Sequence, residues 1–371
     1  MKILAIPKIN DKKYSFELFE LLRHYQNEVI GFLGGSKIPD IRFFSILNKV
    51  KDPLIIKNEV IDKKLDKILN SSKFNFLWNL GLNREYLPYL AQKAKKKGIH
   101  LVQTISDDAI LYNQRNIISQ AIFPEMPSSS IHKIIKFYSP DIDLFISHSQ
   151  FLKELLIKGG IPEKKIVHIP MFVDAQKYTP YYRSEDYFVY QYLSPDEPNL
   201  KFLLKIMEEL PQYKLMIISN NKPNVEIKAL IEKYNLHNVL WIENLNSSQK
   251  QNIIKLSRFS IVLSGAKQKK ILESYAQGKP VLALDLGANS EYVVNTYSGL
   301  LFKNNKEDII SKIDYLMTNQ NFCEDAGAFA RNLAENCFDK QNHYRQIFNS
   351  FNAIEQNALP QLNSAKLLNI S

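Results

Sequence analysis

Short apolar runs rich in β-branched and aromatic residues recur along the chain. Between them lie longer stretches whose apolar positions return every three or four residues. The runs fall at 2–7, 28–32, 76–80, 100–104, 144–147 and 166–169, then at 188–192, 214–219, 239–241, 260–263, 280–284 and 299–302. Continuous apolar runs of this length predict strands buried on both faces, and the longer stretches predict amphipathic helices. Their alternation is the pattern of parallel sheets covered by crossover helices, an α/β architecture. The clearest helix carries Leu200, Leu203, Leu204, Met207 and Leu210 on one side, with Pro198 placed for its first turn.

Residues 179–186, read TPYYRSED, show no periodicity and separate the two series of runs. A chain of 371 residues also exceeds the comfortable size of one core. The expected organisation is therefore a Rossmann-like domain over 1–180 and a second over 181–345. A C-terminal helix and tail, 346–371, is expected to pack back toward the first domain, with a polar end after Pro360 that frays.

Composition narrows the class. Hydrophobic residues make up 45% and aromatic residues 11%, enough for a sizeable core in each domain. The apolar run at 1–7 is shorter than a signal peptide needs, and no run approaches the ~18 residues of a membrane span. The expectation is a cytoplasmic protein. Cys323 and Cys337 are the only cysteines and have no metal-ligand spacing around them, so neither a disulfide framework nor a metal site is expected.

Lys and Arg outnumber Asp and Glu 27 to 18 over residues 1–180 but only 21 to 20 over the remainder. Clusters such as Lys63, Lys64 and Lys67, or Lys93, Lys95, Lys96 and Lys97, would draw this half toward anionic surfaces. They also read as solvated helix faces. Peripheral contact with the inner face of an anionic membrane is expected, helped by the amphipathic stretch 131–137. Aromatic residues are not interleaved with the lysines as in stacking platforms, so no nucleic acid is expected. The seven histidines are scattered, and no Ser-His-Asp order, Walker loop or HExxH motif appears, which removes hydrolase and kinase readings.

Residues 143–180 read DLFISHSQFLKELLIKGGIPEKKIVHIPMFVDAQKYTP, and 272–281 read LESYAQGKPV, followed by Gly287, Glu291 and Gly299-Leu300-Leu301. In motif and spacing this resembles the family 4 retaining glycosyltransferases, over roughly residues 140–340. The resemblance implies the GT-B fold, two Rossmann-like domains facing each other across a cleft that holds a nucleotide sugar. It makes Glu273 the residue that accepts hydrogen bonds from the donor ribose. Read by itself, Glu273 is also an acidic residue favouring a helix N-terminal turn.

Several positions depart from the family pattern. The Arg and Lys that neutralise the departing diphosphate are replaced by Tyr192 and Glu197, a loss of donors typically worth ~3–4 kcal/mol each. The position of the family's first glutamate is Gly265 without a gap, or Lys267 with a two-residue gap anchored on Ser264. The glycine-rich turn after the first strand is replaced by Lys8, Ile9, Asn10 and Asp11, and the active-site histidine by Ser106, beside Asp107 and Asp108. The run Lys267, Gln268, Lys269 and Lys270 opens the helix that carries Glu273, where it could bind phosphate in compensation or simply face solvent.

The candidate donor-binding residues are accordingly Tyr192, Ser264, Gly265, Lys267, Gln268, Lys269, Lys270 and Glu273. The candidate catalytic residues, orienting the acceptor, are Asp107 and Asp108. No cofactor is expected beyond a nucleotide-diphosphate sugar as donor substrate. Two readings stand: a retaining hexosyltransferase of polysaccharide biosynthesis with a glycan or lipid-linked acceptor, or a catalytically inactive partner or regulatory subunit of an active glycosyltransferase.

Overall fold

A computed structural model describes residues 1–6, 28–31, 66–67, 69–70, 73–80, 87–105, 139–192, 197–265 and 267–356. Among these described residues the twelve strands are β1 (Lys2–Ile6), β2 (Glu28–Gly31), β3 (Phe76–Asn79), β4 (His100–Ile105), β5 (Leu144–Ser147), β6 (Ile166–His168), β7 (Tyr187–Gln191), β8 (Lys214–Ile218), β9 (Val239–Ile242), β10 (Ser260–Val262), β11 (Val281–Leu284) and β12 (Gly299–Phe302). The helices are α1 (Leu87–Lys97), α2 (Gln150–Lys158), α3 (Glu197–Glu208), α4 (Val225–Lys233), α5 (Ser247–Leu256), α6 (Gln268–Tyr275), α7 (Asn289–Tyr292), α8 (Lys306–Thr318), α9 (Gln320–Asn336) and α10 (Lys340–Glu355). Each apolar run read from the sequence is a strand, with ends shifted by at most two residues.

The strands form two six-stranded sheets of order β2-β1-β3-β4-β5-β6 and β12-β11-β10-β7-β8-β9, parallel in every pair. Strands such as β5, β7 and β11 are buried along their whole length, because helices cover both faces of a parallel sheet. That double burial is why they read as continuous apolar runs. In each sheet the chain reverses its direction of travel once, between β1 and β3 and between β7 and β10. Crevices at the carboxyl ends of strands flanking such a reversal are where open α/β sheets bind ligands.

One face of the second sheet packs on Leu200, Leu203, Leu204 and Met207 of α3 and on Ile309, Ile313 and Leu316 of α8. The other face, with α6 and α9, builds a core around Ile271, Leu272, Tyr275 and Ala330. The first sheet is covered on one side by α1 and α2. Its other side is covered by α10, which brings Tyr344, Ile347 and Phe351 onto Ile3, Ala5, Phe76 and Trp78. The Phe351 ring stacks on Phe76 at 4.5 Å and meets Trp78 edge-on at 5.3 Å.

The chain crosses between the sheets twice, and the two crossings lie side by side. Val173 donates its amide to the Phe338 carbonyl at 2.9 Å. Lys340 pairs with the buried Asp174 at 2.8 Å, and His343 bonds the Pro170 carbonyl at 2.6 Å. Among the described residues no helix is long and apolar enough to cross a membrane, and no group of three His, Cys, Asp or Glu could hold a metal ion. Part of the lysine cluster on α1 is paired: Lys93 with Asp66 at 2.5 Å and Lys95 with Asp141 at 3.4 Å. Residues 131–137, and the tail after 356, lie outside the described residues.

Candidate functional site

The turn that follows β10 is fixed by backbone approach. A Cβ on Gly265 would lie 2.7 Å from the Leu286 carbonyl oxygen, so only glycine fits against the neighbouring loop. Gln268, at the start of α6, turns inward and donates to the Gly265 carbonyl at 2.8 Å. Asn289 donates to the carbonyls of Ser264 and Leu284 at 3.2 and 2.8 Å, tying the ends of β10 and β11 together. At the far end of α6, Gly278 adopts φ +72°, the left-handed conformation that stops a helix ahead of Pro280.

This rigid turn and helix hold Glu273 in a buried position. Its Oε2 accepts from Lys250 of α5 at 3.0 Å and from Lys270, one turn earlier on α6, at 3.2 Å. Burial alone would raise the carboxyl pKa, but the charges of Lys270, Lys250 and Lys269 outweigh it and hold Glu273 far below the usual carboxylate range. Burial also lowers the pKa of Lys270, against the pull of Glu273. Among the described residues, Glu273 Oε1 has no hydrogen-bond partner.

The lysine run is thus not uniform. Gln268 is buried in the turn, Lys270 is committed to Glu273, and Lys267 caps α6 without a side-chain capping bond. On the other side of the crevice, Tyr192 directly follows β7 and continues its ladder through an amide bond to the Ile218 carbonyl. Its ring lies 5.6 Å from Trp241. Trp241 donates its indole N–H to the Asn221 carbonyl at 3.1 Å. Just past β9, Glu243 keeps a buried Oε2 with no partner among the described residues. Glu197 opens α3 and is held ionised, chiefly by its bond to Lys201, at 3.1 Å. Tyr192, Ser264, Gly265, Lys267, Gln268, Lys269, Lys270 and Glu273 therefore gather at the carboxyl ends of β7 and β10, the reversal point of the second sheet. Asp107 and Asp108 lie outside the described residues.

Two features went unread in the sequence. Lys250 reaches Glu273 from 23 positions away, through the packing of α5 against α6. Glu291 of α7 reaches the first sheet's side of the molecule: its two carboxylate oxygens accept the Gln150 and Phe151 amides at 2.6 and 2.7 Å, at the start of α2. Ser149 caps the same helix by accepting from the Leu152 amide at 3.0 Å. Burial raises the Glu291 pKa, while the two amide bonds draw it down. Next to it, the Tyr292 hydroxyl donates to the His148 carbonyl and accepts from the Met171 amide, both at 2.8 Å. The carboxyl ends of β5 and β11 are joined here.

Residues 181–333 match the family model of glycosyl transferases group 1. The matched span contains the whole second sheet and every residue placed above at the ends of β7 and β10. Solved structures match across 95–96% of the chain. A glycosyltransferase from Rickettsia africae superposes with a TM-score of 0.73 at 18% identity, covering 96% of this chain and 99% of that one. Anabaena HepE in complex with UDP and glucose gives 0.73 at 16%, covering 95% and 100%. Sucrose-phosphate synthase from Thermosynechococcus elongatus gives 0.78 at 12%, covering 96% and 100%. At these identities the shared property is the fold, which is GT-B. The chain has no significant sequence match among curated proteins.

Proposed function

We propose that this protein is a retaining glycosyltransferase that moves a hexose from a nucleotide-diphosphate donor to a glycan or lipid-linked acceptor. The observation that carries this reading is Glu273, buried and ionised at the reversal point of a group 1 glycosyltransferase domain with Oε1 still open. A carboxylate so held is an acceptor for the vicinal hydroxyls of a ribose. HepE was solved with UDP and glucose, which makes a UDP-linked hexose the first donor to try. The donor side is 181–345, with Tyr192, Ser264, Gly265 and the start of α6 around the nucleotide. The acceptor side is the basic 1–180, with Asp107 or Asp108 orienting the acceptor. Its charge suits an anionic acceptor and peripheral contact with the inner face of an anionic membrane from the cytoplasm. The domain boundary at 180 and a final segment from 346 belong to the same proposal.

The test is release of nucleoside diphosphate from a panel of UDP-, GDP- and ADP-hexoses, with the anomeric configuration of any transferred sugar read by NMR. Turnover of one donor with retained configuration is the expected result. Inverted product would remove the retaining mechanism. Tyr192 and Glu197, which stand where the resemblance implies an Arg and a Lys and are not cations, favour a second reading: an inactive partner of an active glycosyltransferase. Nucleotide binding without turnover of any donor would establish that reading instead.

A further inference from the structure

At the end of β7, the two positions where the resemblance implies an Arg and a Lys, Tyr192 and Glu197, carry no positive charge, and the nearby Lys201 is paired with Glu197 at 3.1 Å. Tyr192 is aromatic there, and Glu197 adds a stabilised negative charge. Positive charge is instead concentrated beside Glu273, on α6 and on α5, a second helix outside the lysine run. Lys250 of α5 and Lys270 of α6 converge on one oxygen of Glu273, at 3.0 and 3.2 Å. Both ammonium groups are partly withdrawn from water, with Lys270 the more buried. Two lysines against one carboxylate leave a net positive charge beside a carboxylate oxygen, Oε1, that has no partner among the described residues.

We infer that Lys250, acting with Lys270, binds the diphosphate of the donor. The inference rests on the reading of Glu273 as the ribose acceptor, and it deepens that reading by naming where the leaving group's charge is met. A ribose bonded through Oε1 keeps the ion pairs on Oε2 intact and carries its phosphates toward the two ammonium groups. Lysine suits this role because its compact charge sits on a flexible four-carbon stem, so the same group can hold Glu273 and reach an anion beside it. Charge-assisted bonds of this kind are the stronger hydrogen bonds, and partial burial weakens the competition from water. The arrangement substitutes cations from α5 and α6 for those lacking at the end of β7.

Isothermal titration with UDP, GDP and ADP, each beside its nucleoside, and with inorganic pyrophosphate, tests this on the full chain. Lys250→Met should weaken the diphosphate that binds by at least ten-fold and pyrophosphate comparably, leaving the matching nucleoside within about two-fold. Lys250→Arg, which keeps the charge, should recover most of that loss. Lys228→Met, on an exposed face of α4, should change nothing. The inference is overturned if Lys250→Met binds diphosphate and pyrophosphate as wild type does. It is equally overturned if the nucleoside weakens in proportion, since Lys250 then only positions Glu273. If wild-type protein binds pyrophosphate through Lys250 but no nucleotide, the anion site stands and the nucleotide-sugar reading falls.

Discussion

Glu273 is stabilised by two lysines, and its removal leaves Lys250 and Lys270 facing each other without a counter-charge. Breaking a buried pair from one side costs ~3–5 kcal/mol, so Glu273→Gln should lower the thermal midpoint by several degrees at pH 7. The pH dependence has a definite sign. The folded pKa lies below the ordinary value of 4.5, so the stabilisation is complete above that value and is lost as pH falls below it. Calorimetry should show the gap between wild type and Glu273→Gln narrowing from about pH 4.5 downward. A constant gap would mean the ion pairs contribute nothing. A second residue-scale prediction concerns Gly265→Ala, whose new methyl group meets the Leu286 carbonyl oxygen at 2.7 Å. Backbone cannot yield cheaply, so a loss of ~1–3 kcal/mol in chemical denaturation is expected.

At the scale of elements, α2 begins with its free amides shared between two acceptors. Ser149 serves one from within the helix, and Glu291 serves two from α7. Glu291→Ala should speed hydrogen exchange at Gln150 and Phe151 while leaving the Leu152 amide, which Ser149 still caps, nearly unchanged. The lost bonds to a charged acceptor should cost ~1.5–3 kcal/mol. Uniform exchange across α2 in the variant would show that Glu291 does not anchor that end. The same elements show what a sequence can reveal. Strands such as β5, β7 and β11 were legible because burial on both faces leaves an unbroken apolar run, and α3 because its stripe is one-sided. Within the site, Gly265 to Glu273 were legible because they are consecutive and close to a strand end. Lys250 was not, since nothing along α5 marks the residue that packing turns toward α6. That Glu291 accepts the Gln150 and Phe151 amides was equally hidden, because it sits 141 and 140 positions away from them.

At the scale of the molecule, the core of the first sheet is completed by the last described helix. Phe351→Ala would remove the ring stacked on Phe76 and set against Trp78, at a cost of ~3–5 kcal/mol. Trp78 is buried in that core, whereas Trp241 is partly buried at the second sheet. The emission of Trp78 should therefore shift to longer wavelength in the variant while the Trp241 contribution holds, which Trp241→Phe in the same background would isolate. The placement of α10 has a consequence for biosynthesis. Between the end of β6 and the start of α10 the ribosome adds about 170 residues, which at ~5–20 residues per second takes roughly 9–35 s. Throughout that interval the face of Ile3, Phe76 and Trp78 lacks the helix that covers it among the described residues. Ribosome-bound chains stalled in that interval should therefore crosslink to chaperones through this face, and chains extended until α10 has left the exit tunnel should not.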